Sequence, residues 1–84
     1  MIHVLFVCLG NICRSPMAEA VFRDMVAKEN LSDRIAVDSA GTSGWHVGER
    51  PHAGTLNILK THGLPSDGLY GRRLTREDFD RFDY

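Results

Sequence analysis

The residues best suited to do chemistry lie in one short stretch near the N-terminus. Cys8 and Arg14 are separated by five residues, and Ser15 follows Arg14 directly. A thiolate is a strong nucleophile, and a guanidinium can form two parallel hydrogen bonds to a phosphate group. The stretch therefore predicts an oxyanion site in which a Cys8 thiolate attacks the phosphorus of a bound phosphate ester.

The elements on either side of this stretch predict how its groups are positioned. Residues 2–7 form an almost continuous apolar run, which is typical of a buried parallel strand. Ser15 and Pro16 suit the N-cap and first position of a helix that continues to Lys28. A loop between a strand and a helix can turn successive backbone N–H groups towards one point, where the helix N-terminus also favours an anion. The same field is expected to lower the pKa of Cys8 below the free value of about 8.5.

The middle of the chain predicts a small α/β fold. Residues 34–39 alternate in polarity and predict a second strand. A strand, a helix and a second strand form a crossover unit with parallel strands. A glycine-rich loop at residues 40–51 precedes a second helix over residues 53–62, and Gly63 suits the position after its end. A loop of this length is often functional.

A third short helix is predicted near the end of the sequence. Thr75 suits its N-cap, and Asp78 three residues later completes a capping box. Two strands and three helices make an unfinished parallel sheet, so residues 1–84 are expected to be a single domain that forms the N-terminal portion of a larger one. Four arginines of this region are expected to form a solvated face: Arg72, Arg73, Arg76 and Arg81.

Composition restricts the classes of function. The 84 residues carry 10 Lys and Arg against 11 Asp and Glu, and this balance argues against a nucleic-acid surface. No apolar run approaches the roughly 20 residues of a membrane span, and no signal peptide is recognised, so a cytoplasmic protein is expected. Two cysteines in one loop suit neither a secreted disulfide framework nor a zinc site. No metal or organic cofactor is expected.

Several motifs resemble those of the low-molecular-weight protein tyrosine phosphatases. The stretch from Val7 to Ala20 is similar to the phosphate-binding loop and first helix of that family. Further similar segments extend the resemblance over essentially the whole chain: residues 38–45, 62–65, 74–79 and 82–84. The family has a flavodoxin-like parallel sheet with flanking helices and roughly twice this length, so the resemblance implies a sheet cut short after about two strands.

The resemblance implies a role for each residue of the loop. Cys8 is the nucleophile that becomes a cysteinyl-phosphate, and Arg14 binds the substrate phosphate and stabilises the transition state. Ser15 hydrogen-bonds the Cys8 sulfur and favours its departure in the second step. The other phosphate-binding residues of the loop are Leu9, Gly10, Asn11, Ile12 and Cys13. Cys13 is also implied as a redox partner of Cys8.

Residues outside the loop also receive roles from the resemblance. Trp45 is expected to form one wall of the cleft and to stack on the phenyl ring of phosphotyrosine. Asn11 is expected to hold a left-handed backbone conformation, with its side chain fixed by a network that matches Ser15, Ser39 and His62.

The function implied by the resemblance is hydrolysis of phosphotyrosine in proteins and of small aryl phosphates. Inorganic phosphate, sulfate and vanadate are the ligands expected to compete, and an unpaired sheet edge favours a homodimer. The general acid of the family, an Asp in an Asp-Pro motif, has no counterpart here, because no proline in this sequence follows an Asp.

Three alternatives therefore stay open. An arsenate reductase of the same fold would need a resolving cysteine later in the chain. A protein arginine phosphatase resembles this sequence closely, but those enzymes tend to place Thr where Ile12 stands. An apolar Ile12 favours a phenyl ring over a charged guanidinium. The third alternative is an oxyanion-binding module without turnover, because the general acid is missing.

Overall fold

Strand β1 comprises Ile2–Cys8, strand β2 comprises Ile35–Gly41, and helix α1 over Arg14–Lys28 connects them. The computed structural model describes all 84 residues. The two strands pair in parallel, residue by residue, from their first positions to their last. The predicted crossover unit is therefore confirmed, although β2 runs further than its alternating pattern indicates.

Helix α1 begins two residues earlier than the sequence predicts. Cys13 is its N-cap, and no side chain caps it by a hydrogen bond. The prediction of Ser15 as N-cap is wrong because the Ser15 hydroxyl is engaged by the Cys8 sulfur, 2.9 Å away. A residue that would otherwise stabilise the helix end instead contacts the predicted nucleophile.

Helix α2 covers Ala53–Thr61 and helix α3 covers Asp78–Arg81. Gly63 has a φ of 68°, the left-handed conformation predicted for the residue beyond the end of α2. The α3 helix begins later than predicted, yet the capping pair forms. The carboxylate of Asp78 accepts the backbone N–H of Thr75 at 2.7 Å. None of the helices is both long and apolar enough to span a membrane.

The apolar core is small. Ala20, Leu59 and Leu69 form its buried cluster, which joins α1 to α2 and to the segment that follows α2. Phe6 and Phe22 meet edge to face at 5.7 Å and hold α1 against the sheet. Six buried residues are polar or charged, against five in the hydrophobic core. Hydrogen bonding therefore carries much of the specific structure around the loop.

The free edge and one face of β1 are only partly covered. Val7 is 44% exposed, so the prediction of a strand buried on both faces is wrong for these 84 residues. Tyr84 donates its N–H to the carbonyl of His3 at 3.3 Å and accepts the N–H of Leu5 at 2.8 Å. This is the hydrogen-bond pattern of a parallel strand pair, so residue 84 lies beside β1 as a third strand would.

Candidate active site

The loop of residues 9–13 joins β1 to α1 and turns its carbonyl groups outwards. The carbonyls of Cys8, Leu9 and Ile12 accept N–H groups of the segment after β2, at 2.7–2.9 Å. All peptide bonds are trans, so each N–H points away from the carbonyl that precedes it. The N–H groups that follow these carbonyls therefore face the interior of the loop. Converging N–H groups of this kind bind a tetrahedral anion.

Asn11 gives the loop its curvature. Its φ is 56°, the left-handed conformation that the resemblance implies. Asn is one of the few residues that adopt this conformation at modest cost, because its short polar side chain can hydrogen-bond locally. The side chain of Asn11 is buried below the loop, with 1% of its surface exposed.

The sulfur of Cys8 lies at the centre of the loop. It is 2.9 Å from the hydroxyl of Ser15, and the N–H of Asn11 donates to it at 3.2 Å. Partial burial is the largest single influence on ionisation and raises the pKa. Hydrogen bonds from the Ser15 hydroxyl and from the N–H groups of Ser15, Asn11 and Gly10 outweigh it, so the pKa of Cys8 is lowered. This direction agrees with the expectation for a nucleophilic thiolate.

Arg14 occupies the first position of α1, and its side chain is exposed. It forms no ion pair and no side-chain hydrogen bond with the protein, although the chain carries 11 acidic residues. The guanidinium is therefore free to form a two-point contact with an anion held by the loop.

A chain of hydrogen bonds runs beneath the loop from Asn11. Its side-chain amide donates to the hydroxyls of Ser15 and Ser39 at 2.7 and 3.0 Å. The Ser39 hydroxyl donates to Glu19 at 2.6 Å, and Glu19 also pairs with Arg23. Sequence reasoning missed Glu19. The sequence feature that could have indicated it is a charged residue between two alanines on the core face of α1.

Burial is the main influence on Glu19. Only 4% of the residue is exposed, and this burial raises the pKa of its carboxyl. Hydrogen bonding by Ser39 and the charge of Arg23 act in the opposite direction without cancelling it. The carboxylate closes the hydrogen-bond chain at the end remote from the sulfur.

His62 lies outside this network, which corrects the expectation drawn from the resemblance. It is exposed and forms the C-cap of α2, where its backbone N–H donates to the carbonyl of Ile58. The position expected for it beside Asn11 is taken by Arg72, whose backbone N–H donates to the Asn11 side-chain oxygen at 2.9 Å. The residues after α2 therefore reach the loop through their backbone.

Arg72 is itself held by two carboxylates. Its guanidinium forms two hydrogen bonds to Asp78, at 2.9 and 3.0 Å, and one to Asp38 at 3.1 Å. Arg72 was expected on a solvated face, and this prediction is wrong. We call Arg72, Asp78 and Asp38 the Arg72 clamp. Within the clamp, the hydrogen bonds from Arg72 hold the pKa of Asp78 at about 2, against the opposing effect of burial.

Acid is expected to weaken the fold through Asp78. A carboxyl whose pKa is lower in the folded than in the unfolded chain contributes stability above the unfolded value. That contribution is lost as the pH falls towards the folded value. For a shift from 3.8 to about 2, we expect a loss of about 2 kcal/mol between about pH 5 and about pH 2. Urea denaturation across this range measures it. An equally steep loss in Asp78→Asn would contradict the assignment.

Trp45 lies in the segment that follows β2, with 74% of its surface exposed. Its ring is therefore exposed to solvent, and its role as a wall of the cleft stays a prediction. His46 is the side chain that packs on the loop, because a Cβ on Gly10 would come 3.1 Å from its ring. Its Nδ1 lies 2.9 Å from a Glu49 carboxylate oxygen. None of the surface cavities is lined by residues 8–15.

The two cysteines near the loop are not joined by a disulfide bond. Cys8 and Cys13 are both free thiols, and Cys13 is exposed. No group of three or more His, Cys, Asp or Glu side chains is placed to hold a metal ion. The groups gathered at this site are therefore the Cys8 sulfur, the backbone N–H groups around it and the free guanidinium of Arg14.

Comparison with known proteins agrees with this arrangement. Residues 3–84 match the family model described as low molecular weight phosphotyrosine protein phosphatase. The chain belongs to this phosphatase family. The resemblance noted from the loop motif is thereby confirmed, and so is the α/β fold class.

Two members of the phosphatase family illustrate the likeness in sequence. The low molecular weight protein-tyrosine-phosphatase YfkJ of Bacillus subtilis is 58% identical over 84 residues, which are 100% of this chain and 54% of that protein. The human low molecular weight phosphotyrosine protein phosphatase is 53% identical over 81 residues, which are 96% of this chain and 51% of that protein. The chain thus spans about half the length of the curated relatives it matches.

Solved structures show the same likeness in three dimensions. The crystal structure of YfkJ superposes with a TM-score of 0.99 over 100% of this chain and 53% of its own. The crystal structure of DARP, a Drosophila arginine phosphatase, superposes with a TM-score of 0.89 at 52% identity. This match covers 96% of the present chain and 50% of the DARP chain.

Proposed function

We propose that this protein hydrolyses phosphotyrosine in proteins, and small aryl phosphates, through a cysteinyl-phosphate formed on Cys8. The observation that carries the proposal is the position of the Cys8 sulfur. It lies 2.9 Å from the Ser15 hydroxyl and 3.2 Å from the Asn11 N–H, within a loop whose other N–H groups face inwards. Family membership supports the same chemistry.

In the first step the Cys8 thiolate attacks phosphorus opposite the leaving group. The sulfur–phosphorus bond forms as the bond from phosphorus to the aryl oxygen breaks, and the phenolate leaves with that electron pair. Charge on the three remaining phosphate oxygens is stabilised by the inward N–H groups of the loop and by the Arg14 guanidinium. These donors are oriented before substrate arrives, because the loop carbonyls are already bound outside.

In the second step water attacks phosphorus and the electron pair of the sulfur–phosphorus bond returns to Cys8. The Ser15 hydroxyl, 2.9 Å from the sulfur, donates to the thiolate as it leaves and stabilises it. Inorganic phosphate is released, and the enzyme returns to its starting form. The same contact that lowers the pKa of Cys8 therefore also makes it a better leaving group.

Protonation of the aryl oxygen is the step that these residues do not supply. The Asp-Pro motif of the family has no counterpart among the 84 residues. A general acid typically contributes about 10²–10⁴-fold to such a step. A substrate whose leaving group departs without a proton therefore tests the loop by itself.

The test is the release of nitrophenolate from para-nitrophenyl phosphate by this chain, followed by stopped flow. We expect a burst of about one equivalent per chain and then slower turnover, because the cysteinyl-phosphate forms faster than it is hydrolysed. Circular dichroism establishes that the chain is folded under the same conditions. A folded chain that releases no nitrophenolate would overturn the proposal and leave an oxyanion-binding module.

Phosphoarginine is the second candidate substrate, because the chain also superposes on the Drosophila arginine phosphatase at 52% identity. Ile12 and the exposed Trp45 favour a phenyl ring, since an apolar wall does not compensate a guanidinium for lost water. We expect the burst to be faster with a phosphotyrosine peptide than with the matched phosphoarginine peptide. The opposite order would reassign the substrate without changing the role of Cys8.

A further inference from the structure

The orientation of the Asn11 side-chain amide is determined by a contact from a distant part of the chain. Its oxygen accepts the backbone N–H of Arg72 at 2.9 Å. If the amide were turned over, its NH2 group would face that N–H, donor against donor. The Arg72 N–H therefore requires the NH2 group of Asn11 to face the two serine hydroxyls.

This orientation sets the direction of every hydrogen bond that leads to the sulfur. Asn11 donates both amide hydrogens, one to Ser15 at 2.7 Å and one to Ser39 at 3.0 Å. Because the Ser15 oxygen accepts from Asn11, its own hydrogen is available to the Cys8 sulfur. A hydroxyl that donates to sulfur favours the thiolate, whereas one that accepts from sulfur favours the thiol.

The backbone around Arg72 has little room to move. The Arg72 carbonyl accepts the N–H of Gly41 at 2.8 Å, at the end of β2. A Cβ on the preceding residue, Gly71, would lie only 2.2 Å from the carbonyl oxygen of His46, so this close approach requires glycine. The guanidinium then secures the segment through Asp78, of which 2% is exposed, and through Asp38.

We propose that the Arg72 clamp is a positioning device that holds the Arg72 N–H against Asn11 and so directs the Ser15 hydrogen to the Cys8 sulfur. Arg72 is thus a positioning residue and touches no reacting atom. The inference rests on the proposed function in one respect, which is that Cys8 acts as a thiolate. It adds to that function a positioning role for Arg72, which lies 61 positions from Asn11 in the sequence.

The experiment measures how readily the Cys8 thiol ionises when the clamp is weakened. Asp78→Asn is made in a Cys13→Ser background, which leaves one thiol, and the rate of alkylation by iodoacetamide is followed against pH. We expect the midpoint of this profile to rise by about one pH unit relative to the parent chain. This is the size of effect that loss of one charge-assisted hydrogen bond produces.

The sign of the shift separates the proposal from a simple electrostatic effect. Removing a negative charge near a thiol favours the thiolate and lowers the midpoint. The unpaired Arg72 guanidinium acts in the same direction. A rise therefore requires the altered hydrogen bonding. Asp80→Asn is the matched control, because Asp80 is exposed on the same helix and its side chain makes no hydrogen bond.

Folding is checked by circular dichroism in the same buffers. If Asp78→Asn does not fold, Asp38→Asn decides by the same sign, because the Asp38 side chain is 41% exposed and holds Arg72 by a single contact. A midpoint that stays or falls in a folded variant would overturn the proposal. The outcome is independent of turnover. If the alkylation profile of the Cys13→Ser chain itself had its midpoint at about pH 8.5, that result would instead count against the proposed function.

Discussion

Cys8→Ser is expected to abolish the nitrophenolate burst and to reduce turnover by about 10⁴-fold or more, which is typical of removing a catalytic nucleophile. The hydrogen bonds of the loop lower the pKa of the Cys8 thiol and so favour the thiolate. A serine hydroxyl starts from a far higher pKa, and the same hydrogen bonds cannot ionise it near neutral pH. The covalent intermediate should therefore disappear altogether.

Anion binding should survive this substitution. The inward N–H groups belong to the backbone, so the change at position 8 does not remove them. It leaves the Arg14 guanidinium in place as well. Serine at position 8 can also keep a hydrogen bond to Ser15. We expect inorganic phosphate to bind Cys8→Ser with an affinity within about tenfold of the parent, measured by calorimetry.

Acid-quenched samples analysed by intact mass provide the direct measurement for Cys8→Ser. The parent chain should carry one phosphoryl group after mixing with substrate, and the variant none. Cys13→Ser is the matched comparison, because the same atom is changed five residues later in the same loop. The Cys13→Ser chain retains the Cys8 sulfur and should therefore still carry one phosphoryl group after mixing with substrate. A phosphorylated Cys8→Ser chain would assign the nucleophile elsewhere.

Local sequence signals were sufficient to predict the part of the site that is contiguous in the chain. A buried apolar strand, a residue able to adopt a left-handed conformation and a helix start together specify the geometry of the loop. These inferences depend on short-range backbone preferences, which are expressed in the sequence itself. The contact between Asn11 and Ser15 was instead implied by the resemblance, and it is present as a hydrogen bond of 2.7 Å.

The contacts made from a distance were not predictable in the same way. Arg72 and Asn11 are brought together by the strand order and by the path of the segment after α2. An arginine in a turn-rich stretch with other arginines gives no local sign that it will be held by two carboxylates. The role of His62 was implied by the resemblance, whereas its place at the end of α2 leaves it exposed and outside the network.

Arg14→Lys is the second change for which a large effect is expected. The burst rate constant should fall by about 10²–10³-fold, the loss usual when one oriented donor to a developing oxyanion is removed. Lysine keeps the positive charge but presents a single ammonium group in place of a planar fork. If charge alone sufficed, the substitution would change little.

The lack of side-chain contacts at Arg14 allows an effect on the burst rate to be separated from an effect on stability. Because the guanidinium contacts no other protein group, its replacement should change the free energy of unfolding by no more than about 0.5 kcal/mol. Any loss of rate then belongs to the interaction with phosphate and not to the fold. Urea denaturation measures the first quantity and stopped flow the second.

Arg34→Lys is the matched control, since Arg34 is exposed just before β2 and its guanidinium makes no hydrogen bond or ion pair. We expect it to match the parent in burst rate and stability. Parent-like burst rates in Arg14→Lys would show that a point charge is enough and that the two-point contact has no role. A large loss confined to Arg14→Lys would mean that the loop orients the three transferred oxygens by geometry, with the N–H groups on one side and the guanidinium fork on the other.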